Sequence, residues 1–399
     1  MISSDFAPNE SWDDAWLSLK LLFQPWRWED GKERKEVKTE VLKLFHPSTL
    51  HVSLFLSGRS ALYYLLKSLN LPENSEVLIQ AFTCEAVVFP ILANKLRPNY
   101  IDIEPDTYSI DYQKLTNQLS KNSKVLILQH TFGFTPKYRN QILDFAKKNE
   151  LVVIEDLAHG FDLKIFQGVE VKNLKSHFYL LSFGRSKAFS SVFGGAILTR
   201  NQQQVNELTN NFPFPSYLFI IRCLLYKPLV MLVKSTYELG IGKLIHKILK
   251  TFNLLIPEVT QKEKRGNYDE IFNKSYPNGL AILILNQLKK FDQMNRNRST
   301  SIQIFNSTFS KKMPDFLIRY PLLVDNRKDI LAKTAEQNIY LGKWYDQVVA
   351  PKDIDLERVE YKKGSCPTAE NLCQKIINLP TNISEEEAKR VLDILNDVK

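Results

Sequence analysis

Little in this chain marks it as secreted, metal-binding or membrane-spanning. It has only 4 cysteines in 399 residues. None of Cys84, Cys223, Cys366 and Cys373 stands in the C-x-x-C spacing of a zinc or redox site. The start, Met1-Ile-Ser-Ser-Asp, lacks the basic and apolar regions of a signal peptide, so the thiols are expected to be reduced and the chain cytoplasmic. There is no low-complexity tract and no internal repeat, which excludes solenoids and disordered arrays. A net charge of +9 raises the question of nucleic acid. The lysines are spread along the chain, however, and no helix-turn-helix, zinc-finger or RNA-binding signature accompanies them. The excess is read as surface solvation, with no nucleic-acid partner.

What is present is an ordinary globular composition, 44% hydrophobic and 24% charged, in a chain long enough for a large domain and a smaller one. Residues 1–45 carry Trp12, Trp16, Trp26 and Trp28 and read as helical turns packed on the main body. Beyond His51, strand-like runs alternate with helical spacing. Glu76-Val-Leu-Ile-Gln, Pro98-Asn-Tyr-Ile-Asp-Ile, Lys124 to His130 and Leu151 to Asp156 read as strands. Ser60 to Leu69, Ala86 to Leu92 (interrupted at Pro90) and Gln141 to Asn149 read as helices. This rhythm predicts an α/β fold with a mainly parallel sheet covered on both faces. The helix starting at Ala281, the run Ile318 to Val324 and a final helix, Glu385 to Asn396, predict a smaller C-terminal α/β domain. The expected division is 1–45, 46–257 and 258–399.

The chemistry concentrates in two places. Leu151-Val-Val-Ile-Glu-Asp156 is short, β-branched and ends in an acid, as does a buried parallel strand that stops at a ligand crevice. Lys187 lies in Ser182-Phe-Gly-Arg-Ser-Lys-Ala-Phe-Ser-Ser-Val-Phe-Gly-Gly195, a loop that follows. An acid facing a heterocyclic nitrogen and a lysine able to form a Schiff base are the two protein groups that pyridoxal phosphate most needs. Upstream, Gly58-Arg-Ser-Ala-Leu62 opens a helix after Val52-Ser-Leu-Phe-Leu56, where backbone amides could face an anion. Alone, that turn reads equally as an ordinary capped helix start with Ser60 as the cap.

In these segments the chain resembles the DegT/DnrJ/EryC1/StrS family of pyridoxal-phosphate-dependent sugar aminotransferases, which have the fold type I architecture. The resemblance runs from about Ser57 to the C-terminus, apart from residues 211–257. It also rests on Asp102-Ile-Glu-Pro-Asp-Thr-Tyr-Ser-Ile-Asp, His130-Thr-Phe-Gly, Ile154-Glu-Asp-Leu-Ala-His, Cys366-Pro-Thr-Ala-Glu and Ile377-Asn-Leu-Pro. It implies a seven-stranded-type sheet and pyridoxal 5'-phosphate as cofactor. Lys187 would be the covalent attachment point and proton carrier, and Asp156 the partner of the ring nitrogen. Gly58, Arg59 and Ser60, chiefly through their backbone, and the Ser182 hydroxyl would hold the phosphate. His159 would face the ring oxygen, unless it is a satisfied histidine at a helix start. The implied reaction moves an amino group, from glutamate in the family, to a keto group of a nucleotide-linked sugar for a surface polysaccharide or glycoconjugate.

The chain also departs from the family pattern. Cys84 stands where relatives place an aromatic residue against the cofactor ring, and Lys187 is followed by Ala rather than Asn. Counting back from Gln287, Asn273 falls on an asparagine that relatives extend into a neighbouring subunit's site, which implies a homodimer; Ser275 replaces an arginine. Trp344-Tyr-Asp-Gln-Val-Val-Ala-Pro lacks the family histidine near the sugar. Two rival readings follow: a pyridoxal phosphate enzyme for another substrate, or a membrane-surface protein with little catalysis. The second draws on residues 212–256, where Arg222, Lys227, Lys234, Lys243, Lys247 and Lys250 interrupt apolar runs against the single acid Glu238. The bases and Pro228 argue against a spanning helix. The segment reads as helices packed internally or at a dimer interface, or as helices lying peripherally on an anionic bilayer.

Overall fold

The computed structural model describes residues 1–45, 50–161, 177–208, 212–252 and 254–396. Residues 46 and 211, where the large domain and the basic insert were expected to begin, lie outside these. Seven short runs form one sheet: β1 (His51–Phe55), β2 (Glu76–Gln80), β3 (Arg97–Ile101), β4 (Ser123–Gln129), β5 (Val152–Asp156), β6 (His177–Ser182) and β7 (Gly195–Thr199). Their order is β1-β7-β6-β5-β4-β2-β3. All run the same way except β7, which is antiparallel to both neighbours. The expected mainly parallel α/β architecture is therefore present.

The pleat sends alternate residues to opposite faces. Val77, Ile79, Val125, Ile127 and Ile154 join one core, packed against Leu62 and Leu65 of the helix Gly58–Ser68. Leu78, Leu126, Leu128 and Val153 join another, packed against Ile142, Leu143 and Ala146 of the helix Arg139–Lys148. Helices on both faces explain why the strands are continuously apolar instead of alternating. Gln129, Asp156 and Ser182 end β4, β5 and β6, so their side chains gather along one edge of the sheet, outside the strands' carboxyl ends.

Next to Asp156, on the opposite face, Glu155 is a fully buried hub. It accepts from Arg139 Nε and Nη2 at 2.7 and 2.8 Å and contacts His130 Nε2 at 2.9 Å and His177 Nε2 at 2.8 Å. Burial alone would raise its pKa, but the two histidines and the arginine charge hold it well below 4.5. A depressed carboxylate stabilises the fold above the unfolded value and loses that contribution as pH falls through the folded one. Glu155→Gln would leave Arg139 as a buried, uncompensated charge. Denaturant titration is expected to show a loss of about 3–5 kcal/mol at neutral pH. The gap between variant and wild type should narrow as the pH drops well below 4.5.

Pro90, expected to interrupt a helix, does not, and a second helix also passes through a proline. Glu85–Ala93 runs through Pro90, and Tyr217–Thr236 runs through Pro228. In the first, Val87, Val88, Phe89 and Ile91 are all buried. Four buried apolar side chains at about 1.5–3 kcal/mol each outweigh the roughly 3 kcal/mol proline penalty.

The N-terminal segment is only partly helical and only partly covered. Trp12–Leu22 and Glu33–Phe45 are helices, and Trp28 is buried with its Nε1 donating to the Leu21 carbonyl at 2.7 Å. Trp12, Trp16 and Trp26 instead face solvent. Residues ahead of Trp12 thread into the C-terminal part, where Ile2–Ser3 pairs in parallel with Ile339–Tyr340. That part has an antiparallel pair, Arg319–Leu323 with Ile376–Pro380, backed by the helices Phe291–Phe309 and Glu385–Asn396.

Candidate active site

A cavity of about 440 Å³ opens at the carboxyl ends of β4, β5 and β6. Of the nine residues expected to form the site, seven line it: Gly58, Arg59, Cys84, Asp156, His159, Ser182 and Lys187. Ser60 and Asn273 do not. Ser60 is fully buried, and the residue capping its helix is Ser57, whose hydroxyl accepts the Ser60 amide at 3.1 Å. The helix-start amides on the cavity wall are thus those of Gly58 and Arg59. Asn273 follows a short 3-10 turn and accepts a hydrogen bond from Tyr268 Oη at 2.5 Å.

Close packing shapes the wall at Gly58. A Cβ on Gly58 would stand 3.1 Å from Ser182 Cβ, and one on Gly195 would stand 2.6 Å from the Gly58 nitrogen. A side chain at Gly58 would thus fill the space between the helix start and Ser182. The Arg59 guanidinium turns aside to Glu263, with Glu85 3.8 Å away. It is therefore the Arg59 backbone, not its side chain, that is available to an anion.

At the other end Asp156 accepts from Gln129 Nε2 at 3.1 Å and from the Ala158 amide at 3.0 Å. Burial raises its pKa, against the Ala158 hydrogen bond and the Lys187 charge. Burial likewise lowers the Lys187 ammonium below its usual range, opposed by Cys84 and Asp156. Each charge is costly in this cavity, so the amine is brought towards its nucleophilic neutral form. The Cys84 thiol is pushed up to about 12 by burial and by Glu85, so it is a neutral, polarizable surface and not a thiolate.

His159 is held from both sides. Its Nδ1 accepts the Phe132 amide at 3.1 Å, and Nε2 lies 3.0 Å from Tyr345 Oη. Burial lowers its pKa well below 6.5. A neutral ring with Nδ1 accepting carries its proton on Nε2, which donates to Tyr345 and leaves the phenol hydrogen free.

Sequence reasoning missed several wall residues. Gln129, Trp344 and Tyr345 line the cavity, as do Asp5 and Glu258. Trp344 stacks on His159 with centroids 5.0 Å apart, Lys187 Nζ lies 5.1 Å from its ring centre, and Arg319 packs 3.3 Å from it while ion-pairing with Asp5. The aromatic pair ahead of Pro351 was the one signal available, because the strand Val349–Ala350 pairs beside Thr83–Cys84. Asp5 and Asn9, whose Nδ2 donates to the Lys187 carbonyl at 2.5 Å, left no local signal.

The sequence pattern of the DegT/DnrJ/EryC1/StrS aminotransferase family matches residues 19–211 and 261–396. The chain belongs to this family. An uncharacterised protein of Methanocaldococcus jannaschii is 23% identical over 86% of this chain and 83% of its own length. The dTDP-4-amino-4,6-dideoxy-D-glucose transaminase of Escherichia coli is 27% identical over 52% of this chain, and the match spans only 53% of that enzyme. The crystal structure of ntda from Bacillus subtilis with bound cofactor PMP superposes with a TM-score of 0.70 at 19% identity, covering 97% of this chain and 81% of that one. The DegT/DnrJ/EryC1/StrS enzymes are pyridoxal-phosphate-dependent aminotransferases, and this cavity fits that cofactor. Its wall brings together the Gly58 helix start, where the missing side chain leaves space beside Ser182, the buried acid Asp156 and the desolvated Lys187.

Proposed function

We propose that the protein transfers an amino group from an amino-acid donor, glutamate by family resemblance, to the keto group of a nucleotide-linked sugar destined for a surface polysaccharide or glycoconjugate. The observation that carries this is the meeting of Lys187, Asp156, Ser182 and the Gly58–Arg59 helix start in one cavity. The substrate class draws support from the E. coli relative, whose name is that of a sugar transaminase. Pyridoxal phosphate supplies the electron sink when bound. Gly58 and Arg59 amides and the Ser182 hydroxyl would hold its phosphate, and Asp156 would keep a proton on its ring nitrogen. Lys187 Nζ would be its covalent attachment point and, as a free amine, would carry the proton taken from the substrate. His159 would face the ring oxygen, with both of its ring nitrogens already engaged, by the Phe132 amide and Tyr345 Oη.

We also propose a homodimer, with Asn273 near the subunit contact; Ile271, two residues earlier, is 49% exposed. Four free thiols support a cytoplasmic setting. The three-part division at 45 and 257 is proposed with one feature of its own. The helix Asn278–Lys289 of the last part stays joined to the first through Asn278, which donates to the Arg27 carbonyl at 3.0 Å and to Glu33 at 3.0 Å.

The test is an assay of the cofactor-loaded protein with glutamate, against a panel of nucleotide-linked keto-sugars and free keto acids. The expected products are an amino-sugar nucleotide and 2-oxoglutarate. Turnover confined to the free keto acids would remove the sugar assignment. Loaded protein that turns over nothing in either panel would reduce the fold to a scaffold.

A further inference from the structure

The segment between residues 211 and 261 lies outside the family match, and its two helices meet solvent in opposite ways. Tyr217–Thr236 packs inward. It buries Phe219, Ile220, Cys223, Leu224 and Val230, and its Lys227 is fully buried in an ion pair with Glu10. The shorter helix, Ile241–Thr251, turns an apolar stripe outward. Ile241, Leu244, Ile248 and Phe252, spaced three to four residues apart, are 54%, 60%, 43% and 69% exposed. Helical spacing sets all four on one side.

This exposure is fixed by the way the helix docks. On its other side a Cβ at Gly242 would collide with the Val233 carbonyl oxygen and stand 2.7 Å from Tyr237 Cα. Leu249 is buried with Val233 and Tyr237. Turning the stripe inward would break this glycine-dependent fit. Lys243, Lys247 and Lys250 are exposed along the same helix, and the helix contains no acid.

We propose that the helix Ile241–Thr251 docks the protein on the surface of an anionic lipid bilayer. The stripe enters the headgroup–acyl boundary and the three lysines meet the lipid headgroups. Charge favours lipid over a second copy of the chain. Two such helices packed stripe to stripe would bring two lysine rows together with no acid on either helix to meet them. The contact is peripheral, since among the described residues no helix is long and apolar enough to cross a membrane.

The experiment is flotation of the full-length, cofactor-loaded protein with vesicles of phosphatidylcholine alone or mixed with phosphatidylglycerol. The wild type is expected to float with the mixed vesicles and to be released by raised salt. K243Q/K247Q/K250Q should weaken partitioning on the order of 100-fold, at about a factor of five for each base. L244D/I248D should abolish it, while both variants keep the wild-type cofactor absorbance and unfolding temperature. Wild type that stays unbound, or binds both vesicle types equally, would overturn the proposal. So would an L244D/I248D variant that floats normally but sediments as a smaller species, which would make the stripe a contact between copies. None of these readouts depends on turnover or on the sugar assignment.

Discussion

Lys187→Ala is expected to remove covalent cofactor attachment altogether. Borohydride reduction of the loaded wild type should leave a pyridoxyl group on the Lys187 peptide, and the variant should yield none on any peptide. Turnover should fall by about 10³-fold or more, because in the proposed mechanism one side chain serves as both the attachment point and the proton carrier. The fold should tolerate the change. Lys187 sits on the cavity wall, its ammonium is already disfavoured by burial, and removing it leaves no buried charge unpaired except the Asp156 it partly offsets. Thermal unfolding of the apo-variant should therefore match or slightly exceed that of wild type. The sign for the wild type follows from the lowered pKa: the amine is available below the usual lysine range, so attachment should persist at pH values well under 10.5. A variant that still forms a stable reduced adduct would move the chemistry to another lysine.

How much of this was legible in the sequence depended on how local each signal is. The strand ending at Asp156 could be read because a strand buried on both faces is a β-branched run with an abrupt polar end. The loop carrying Lys187 and the turn at Gly58 could be read because glycine and serine punctuate them. By contrast, β6 and β7 were not read as strands, since they flank the lysine loop and pair with strands distant in sequence, β6 in parallel with β5 and β7 antiparallel to β1. Ser57 was overlooked as the cap because Ser60 stands three residues on, and the two hydroxyls serve one capping arrangement. Asp5 and Asn9 could not have been found by spacing. They reach the lysine loop only because the first residues pair with Ile339–Tyr340, a contact across almost the whole chain. The insert was read as either internal or peripheral; its long helix is internal and its short one exposes a stripe, a distinction set by Gly242 that composition does not reveal.

Asp156→Asn should cut kcat by at least about 100-fold, with KM changing far less. The carboxylate is buried, receives one side-chain and one backbone hydrogen bond among the described residues, and has its pKa raised by that burial. Burial outweighs the Ala158 hydrogen bond and the Lys187 charge in raising this acid's pKa, and a protonated ring nitrogen beside it would add a further cation that favours the ionised form. Asparagine keeps the shape but cannot supply the charge. The lost charge-assisted hydrogen bond is worth about 1.5–3 kcal/mol, or roughly 10- to 100-fold, before any loss of the electron sink is added. The substituted side chain could instead turn its amide nitrogen towards the ring, which would favour the unprotonated nitrogen and work against carbanion stabilisation. Asp156→Glu retains the charge and should recover part of the rate, which a purely structural role would not produce, since the longer side chain is the worse steric fit. If the asparagine variant instead kept wild-type kcat, Asp156 would be a structural acid serving Gln129 and Ala158, and the ring-nitrogen partner would have to be sought elsewhere on the wall.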